Sequence, residues 1–266
     1  MRRTSLRTAV LAAATFTVVA GAGIATAIGT ASAATVPTFP KASSTKTVTS
    51  TQTISGTVDE KLVRFVASGL GDGGQGEGQK PVFELKPGAT LKNVIIGAPG
   101  ADGIHCEASC NLINVWWEDV GEDAATLLGT APSGSTMTID GGGAQKAADK
   151  VFQHNGPGTM VIKNFYVDDF GKLYRSCGNC KHNYQGKRSV IVQNVIAQTG
   201  HAALVGINSN YGDTATLSNI TIVNDPSHKL VICQRYTGNN TGAEPPKAGS
   251  GPGSGCNYSS SDIHYQ

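Results

Sequence analysis

Leu112-Ile113-Asn114-Val115 is a run that the chain repeats. Leu91-Lys92-Asn93-Val94 precedes it; Ile162-Lys163-Asn164-Phe165, Val192-Gln193-Asn194-Val195 and Leu217-Ser218-Asn219-Ile220 follow. Thr138-Ile139-Asp140 fits as a degenerate copy. The Asn or Asp positions 93, 114, 140, 164, 194 and 219 lie 21, 26, 24, 30 and 25 residues apart. A period of this size signals stacked coils. Each copy is a short strand of Val, Ile, Leu and Thr next to Gly, Asn and Asp turns. No amphipathic helix of ten or more residues separates the copies, which argues against a βαβ sheet. A leucine-rich repeat needs denser Leu, and a sandwich does not need Asn at one fixed strand position. The pattern therefore predicts an all-β chain, a single-domain right-handed parallel β-helix. In such a solenoid the Asn amides stack at the bend of successive coils and satisfy groups that a tight turn leaves unpaired.

Outward from the repeat, Asp102–Asp123 reads DGIHCEASCNLINVWWEDVGED. A buried strand stands between Asp102 and an acidic group, Glu118, Asp119, Glu122 and Asp123. Carboxylates in the turns flanking a strand can gather hard oxygen ligands on one side, which suits Ca²⁺. The plain alternative is a solvated acidic turn. Lys150, Lys172 and Arg175 follow within the next coils, and stacking would set these cations beside the carboxylates. Cations beside a bound cation call for an anionic partner, and an acidic polysaccharide is one. Otherwise Lys150 and Lys172 are surface lysines paired with Asp149 and Asp169.

The N-terminus carries Arg2, Arg3 and Arg7, an apolar run from Thr8 to about Gly29, and Ala31-Ser32-Ala33 as a cleavage signal. Residues 1–33 are expected to be a secretory signal peptide, with export route open. Residues 34–68 are expected to be a leader and first coil, and 69–266 the β-helix domain. Loss of three arginines takes the formal charge from +2 to about −1, which gives no global attraction to nucleic acid. No later stretch is apolar enough to span a bilayer, and a secreted monomer without a membrane partner is expected. All six cysteines lie beyond residue 33, an even count that favours disulfides in an exported chain. Spacing suggests Cys106 with Cys110, Cys177 with Cys180 and Cys233 with Cys256; zinc at His105, Cys106, Cys110, Cys177 and Cys180 is the rival. Gly69–Gln79 reads as a loop, with Glu77 and Lys80 at its exit, and Thr237–Gly255 as an irregular one.

ADGIHC (Ala101–Cys106), NVWWEDVGEDAAT (Asn114–Thr126), DKVFQHN (Asp149–Asn155), FGKLYRSCGNC (Phe170–Cys180) and NYGDTATL (Asn210–Leu217) resemble the motifs of the pectate lyases of polysaccharide lyase family three. The resemblance runs from about Gly69 to Gln234. It implies a secreted enzyme that cleaves de-esterified homogalacturonan by Ca²⁺-dependent β-elimination. By that resemblance Asp102, Glu122 and Asp123 bind calcium, and Lys150, Lys172 and Arg175 form the basic active site. Glu77 and Lys80 line the cleft, and Arg175 also binds substrate. Leu128 stands where some members carry Lys. On chemical grounds the base falls to Lys150 or Lys172, with Arg175 a carboxylate clamp. The alternatives are a polygalacturonase-type hydrolase, whose chemistry uses carboxylate pairs, and a non-catalytic pectin-binding β-helix.

Overall fold

The computed structural model describes residues 34–182 and 184–266, and residues 34–266 form one unit. The expected signal peptide lies outside the described residues. No helix among the described residues is long and apolar enough to cross a membrane.

The chain winds as a right-handed parallel β-helix whose coils stack in register. Its strands alternate inward apolar and outward polar positions, the period-2 pattern of a pleated strand. One interior column runs through Val58, Leu91, Leu112, Ile139, Ile162, Val192 and Leu217. Five of the seven are 0 % exposed. Full burial of each such side chain contributes about 1.5–3 kcal/mol. A second column on another face joins Phe83, Ile104, Ala125, Phe152, Tyr174, Val205 and Cys233. Trp117, Phe152 and Phe165 meet between the faces with ring centroids 5.2–6.3 Å apart.

The asparagine bend forms as expected. Asn93, Asn114, Asn164, Asn194 and Asn219 all have φ between 51° and 55°, the left-handed region that Asn tolerates better than most residues. Each amide donates down the stack: Asn114 to Asn93 (2.9 Å), Asn194 to Asn164 (3.2 Å) and Asn219 to Asn194 (2.9 Å). One copy differs from expectation. Asp140 pairs with Ile113 and Lys163, so the left-handed position of that coil is Gly141 (φ 74°). Asp140 still accepts from Asn164 Nδ2 at 2.7 Å, one residue out of column. The loop expected at Thr237–Gly255 also contains a strand, Lys247–Ser250, antiparallel to Val231–Tyr236.

The leader is a strap. Val36, Phe39 and Ala42 pack on an outward apolar row, Ile95, Trp116 and Tyr166, and the Phe39 ring meets Trp116 at 5.0 Å. All six cysteines are bonded, as Cys106–Cys110, Cys177–Cys180 and Cys233–Cys256; this removes the thiolates that a zinc site would need.

Candidate active site

The face opposite the asparagine bend presents an outward row in strict register: Glu84, His105, Thr126, Gln153, Arg175, Gly206 and Gln234. Beside it Lys150, Lys172 and Ala203 form a second row. Neighbouring strands are about 4.8 Å apart, so these side chains form a ladder of that spacing. A cleft of about 710 Å³ opens along the ladder.

The carboxylates come from the turns at its edge. Gly121 is required there, because a Cβ would lie 2.0 Å from Ala101 O. Its absence lets the Asp119–Asp123 turn lie on the Gly100–Gly103 turn. Glu122 N–H then donates to Ala101 O (2.9 Å), and Ala124 N–H to Val151 O (2.9 Å). These bonds stack Asp102, Asp123 and Lys150 in consecutive coils. One carboxylate oxygen each from Asp102, Glu122 and Asp123 falls within 4.8 Å of the others. The three residues are 8, 9 and 3 % exposed. No N–H group of the described residues reaches Asp102 Oδ1 or Asp123 Oδ1 within hydrogen-bond distance, and both atoms are buried. Buried carboxylate oxygens without donors are costly, and a hard divalent cation satisfies them. The donor set therefore fits Ca²⁺.

Electrostatics report the same crowding. Burial, then the hydrogen bond and charge of Asp102, push the Glu122 carboxyl up to about 7. Burial also lifts Asp123 well above the usual carboxylate range, against the pull of Lys150. The Lys150 ammonium lies 3.6 Å from Asp123, 3.7 Å from Glu122 and 3.1 Å from Asp149. Burial disfavours its charge, yet Asp123, Asp149 and Glu122 outweigh burial and raise its pKa. Lys172 pairs with Asp149 from the next coil. Asp149 is opposed by burial but drawn below its usual value by Lys172 and Lys150.

Arg175 is 7 % exposed and lies in register with Gln153. Among the described residues it has no carboxylate within 4 Å, and only Nη1 finds acceptors, Ser176 O (2.7 Å) and Asn208 Oδ1 (3.0 Å). Burial lowers its pKa. A buried guanidinium with Nε and Nη2 left over is a receptor for a carboxylate.

Of the sequence-predicted residues, Asp102, Glu122, Asp123, Lys150, Lys172, Arg175 and Glu77 line one cleft, and so does Leu128. Lys80 does not line it. It is exposed, and its backbone carbonyl accepts the Asp102 N–H at 3.4 Å. Sequence reasoning missed Thr126, Gln153 and Asn155, which line the cleft, and His105 as a site residue. His105 Nε2 meets Asp102 Oδ2 at 2.9 Å. The available signal was register: His105, Thr126 and Gln153 fall in the Arg175 row once the coils are aligned. The far wall, Lys181 with Gly242, Glu244 and Pro245, comes from two irregular loops that carry no repeat.

Comparison with known proteins bears on this arrangement. A family model described as pectate lyase matches residues 36–242. Pectate lyase E of Emericella nidulans is 51 % identical over 225 residues, 83 % of this chain and 84 % of that one. A probable pectate lyase E of Aspergillus fumigatus is 49 % identical over 223 residues, covering 83 % and 84 %. Among solved structures, pectate lyase PelI from Erwinia chrysanthemi in complex with tetragalacturonic acid superposes with a TM-score of 0.69 and 36 % identity, over 83 % of this chain and 70 % of that one.

Proposed function

Because the chain belongs to the pectate lyase family, we propose that it cuts de-esterified homogalacturonan by β-elimination with Ca²⁺ held by Asp102, Glu122 and Asp123. One observation carries this reading: three clustered carboxylates stand beside Lys150, Lys172 and Arg175 along a single solenoid face. An extended polyanion matches a row of cations at strand spacing. The tetragalacturonic acid of the PelI complex supports an oligogalacturonate as the occupant.

In elimination a base takes the proton α to the uronate carboxylate, the C4–O4 bond breaks, and a C4=C5 double bond forms. The leaving oxygen then takes up a proton. Ca²⁺ in the carboxylate cluster would neutralise a uronate carboxylate and draw the counter-charge of the cluster away from Lys150. An amine that loses such counter-charge moves toward its neutral form. We therefore assign the base to Lys150, whose ammonium lies 3.6 Å from Asp123 and 3.7 Å from Glu122 at the cluster's edge. Lys172 keeps its Asp149 partner and faces the cleft from the next coil. Arg175 offers its free N–H groups to the substrate carboxylate, which gains charge as the proton departs. Glu77 lines the cleft near Glu122, and Lys80 acts through its backbone contact to Asp102.

Secretion fits the same reading. The N-terminal segment has the composition of a signal peptide, and three disulfides suit an oxidising compartment. The test is ultraviolet absorbance on polygalacturonate. Absorbance should rise with added Ca²⁺ and stop with a chelator, because elimination creates a conjugated double bond. Reducing ends without absorbance would mean hydrolysis, and full rate in chelator would remove the metal from the reading.

A further inference from the structure

Among the described residues Arg175 is a buried cation without a carboxylate within 4 Å, so something other than an ion pair fixes its direction. Three groups surround it. The guanidinium carbon lies over the Tyr236 ring, 4.0 Å from the ring centroid. Asn208 Oδ1 accepts from Nη1. Gly206, the next residue in the Arg175 row, has no side chain, and that is what admits the stack. A Cβ there would lie 2.9 Å from Arg175 Cδ and 3.1 Å from Tyr236 Cε2.

Asn208 is itself locked. It is fully buried, and its Nδ2 donates to Ser176 Oγ (2.9 Å) and Cys177 O (3.0 Å). With Nδ2 so engaged, the amide can only turn its oxygen toward Arg175. Asp213 closes the arrangement from behind, accepting from Asn208 N (2.9 Å) and Ser176 Oγ (2.5 Å). On the cleft side Gly178 keeps the wall back, since a Cβ there would lie 2.3 Å from Arg175 Nη2.

We infer that Tyr236, Asn208 and Gly206 are positioning residues for the elimination, holding the Arg175 guanidinium so that Nε and Nη2 face the substrate carboxylate. The inference rests on the reading of Arg175 as a carboxylate clamp. A face-on aromatic ring restrains a guanidinium while taking none of its N–H groups, and a carboxylate partner would have taken two. Displacing a catalytic contact by about 1 Å can cost about 10²-fold.

The experiment is a double-mutant cycle on polygalacturonate with added Ca²⁺. Tyr236→Phe keeps the ring and should stay within about twofold of wild type. Tyr236→Leu and Gly206→Ala should each lower kcat/KM about tenfold or more. In an Arg175→Ala background both should change kcat/KM by less than about twofold. Gly206→Ala carries the test if Tyr236→Leu loses its cooperative thermal transition, because it adds one methyl at an ordinary backbone position. Equal losses with and without Arg175 would make Tyr236 and Gly206 structural and overturn the inference, as would full activity in both single variants. Full activity in Arg175→Ala alone would instead overturn the clamp reading, and the inference with it.

Discussion

Glu122→Gln in calcium-free protein offers a direct measure of the strain among the site carboxylates. Glu122 lines the edge of the cleft, and burial followed by Asp102 lifts its carboxyl from 4.5 to about 7. A carboxyl raised in the fold helps stability below its unfolded pKa. That help is lost as pH rises from the unfolded to the folded value, because over that window the folded state holds a proton that the unfolded chain has already released, and the loss is complete above the folded pKa. Each pH unit between 4.5 and 7 is worth about 1.36 kcal/mol, so the full effect is ~3 kcal/mol. Solvent in the cleft screens part of it, which leaves ~1.5–3 kcal/mol. Glutamine removes the term and also relieves Asp102 and Asp123. The assay is urea denaturation of both proteins in chelator from pH 4.5 to 8. The variant's advantage should grow by that amount, most of it below pH 7, and then level off. His154 makes the pairwise comparison necessary. Burial and Arg188 hold its imidazole down at about 3, so it adds stability as pH rises toward 6.5, the opposite trend, and cancels only in the difference. Saturating Ca²⁺ should reverse the order, since wild type gains about 4.1 kcal/mol at a thousand times Kd. A difference that ignores pH in chelator, or a variant that responds to Ca²⁺ like wild type, would refute the reasoning.

Two further outcomes follow from the site and the bend. Lys150→Ala should abolish the alkaline ascending limb of kcat in residual activity, whereas Lys172→Ala should lower the whole profile and keep the limb; the reverse pattern would move the base to Lys172. Asn164 has φ 55° and two ladder bonds, so Asn164→Ala should cost about 2–3 kcal/mol in denaturant titration. Asn164→Gly should recover about 1 kcal/mol of that, because glycine adopts this conformation freely, and equal losses would show that the backbone is not the reason.

The solenoid was legible because its determinant is local. Five coils repeat one hydrophobic-x-Asn-hydrophobic run, and the backbone preference of that run is set by its own residues. The carboxylate cluster was legible for a related reason. Asp102 and the Glu122–Asp123 pair flank one strand, and a parallel stack returns flanking turns to one edge. Lys80 read as a cleft residue because it leaves the glycine loop near Glu77, but what it places against Asp102 is a backbone carbonyl, which no side-chain pattern reports. Gly141 hid the true bend of its coil, since Asp140 carries the polar atom while Gly141 carries the φ. The Tyr236–Arg175 stack joins residues 61 positions apart in sequence through a gap left by Gly206. An absent side chain leaves no signal until the coils are aligned. The Phe39 strap was hidden likewise, because its partner Trp116 looks like any other core aromatic.

The one-coil spacing of the asparagine column also has a kinetic meaning. Bonds in that column join residues 21 to 34 positions apart, so each new coil closes only a short loop onto the coil before it. Folding can therefore start on any adjacent pair of coils and spread toward both ends. The coils that carry Asp102, Asp123 and Lys150 lie in the interior of the stack, so opening that begins at either end reaches them late. Phe39 with Tyr166, and Ala34 N–H with Gln266 Oε1, 232 residues apart, close far longer loops. Those contacts form last and release first, which places the earliest amide exchange at the strap and leaves the ladder along the cleft among the most protected parts of the chain.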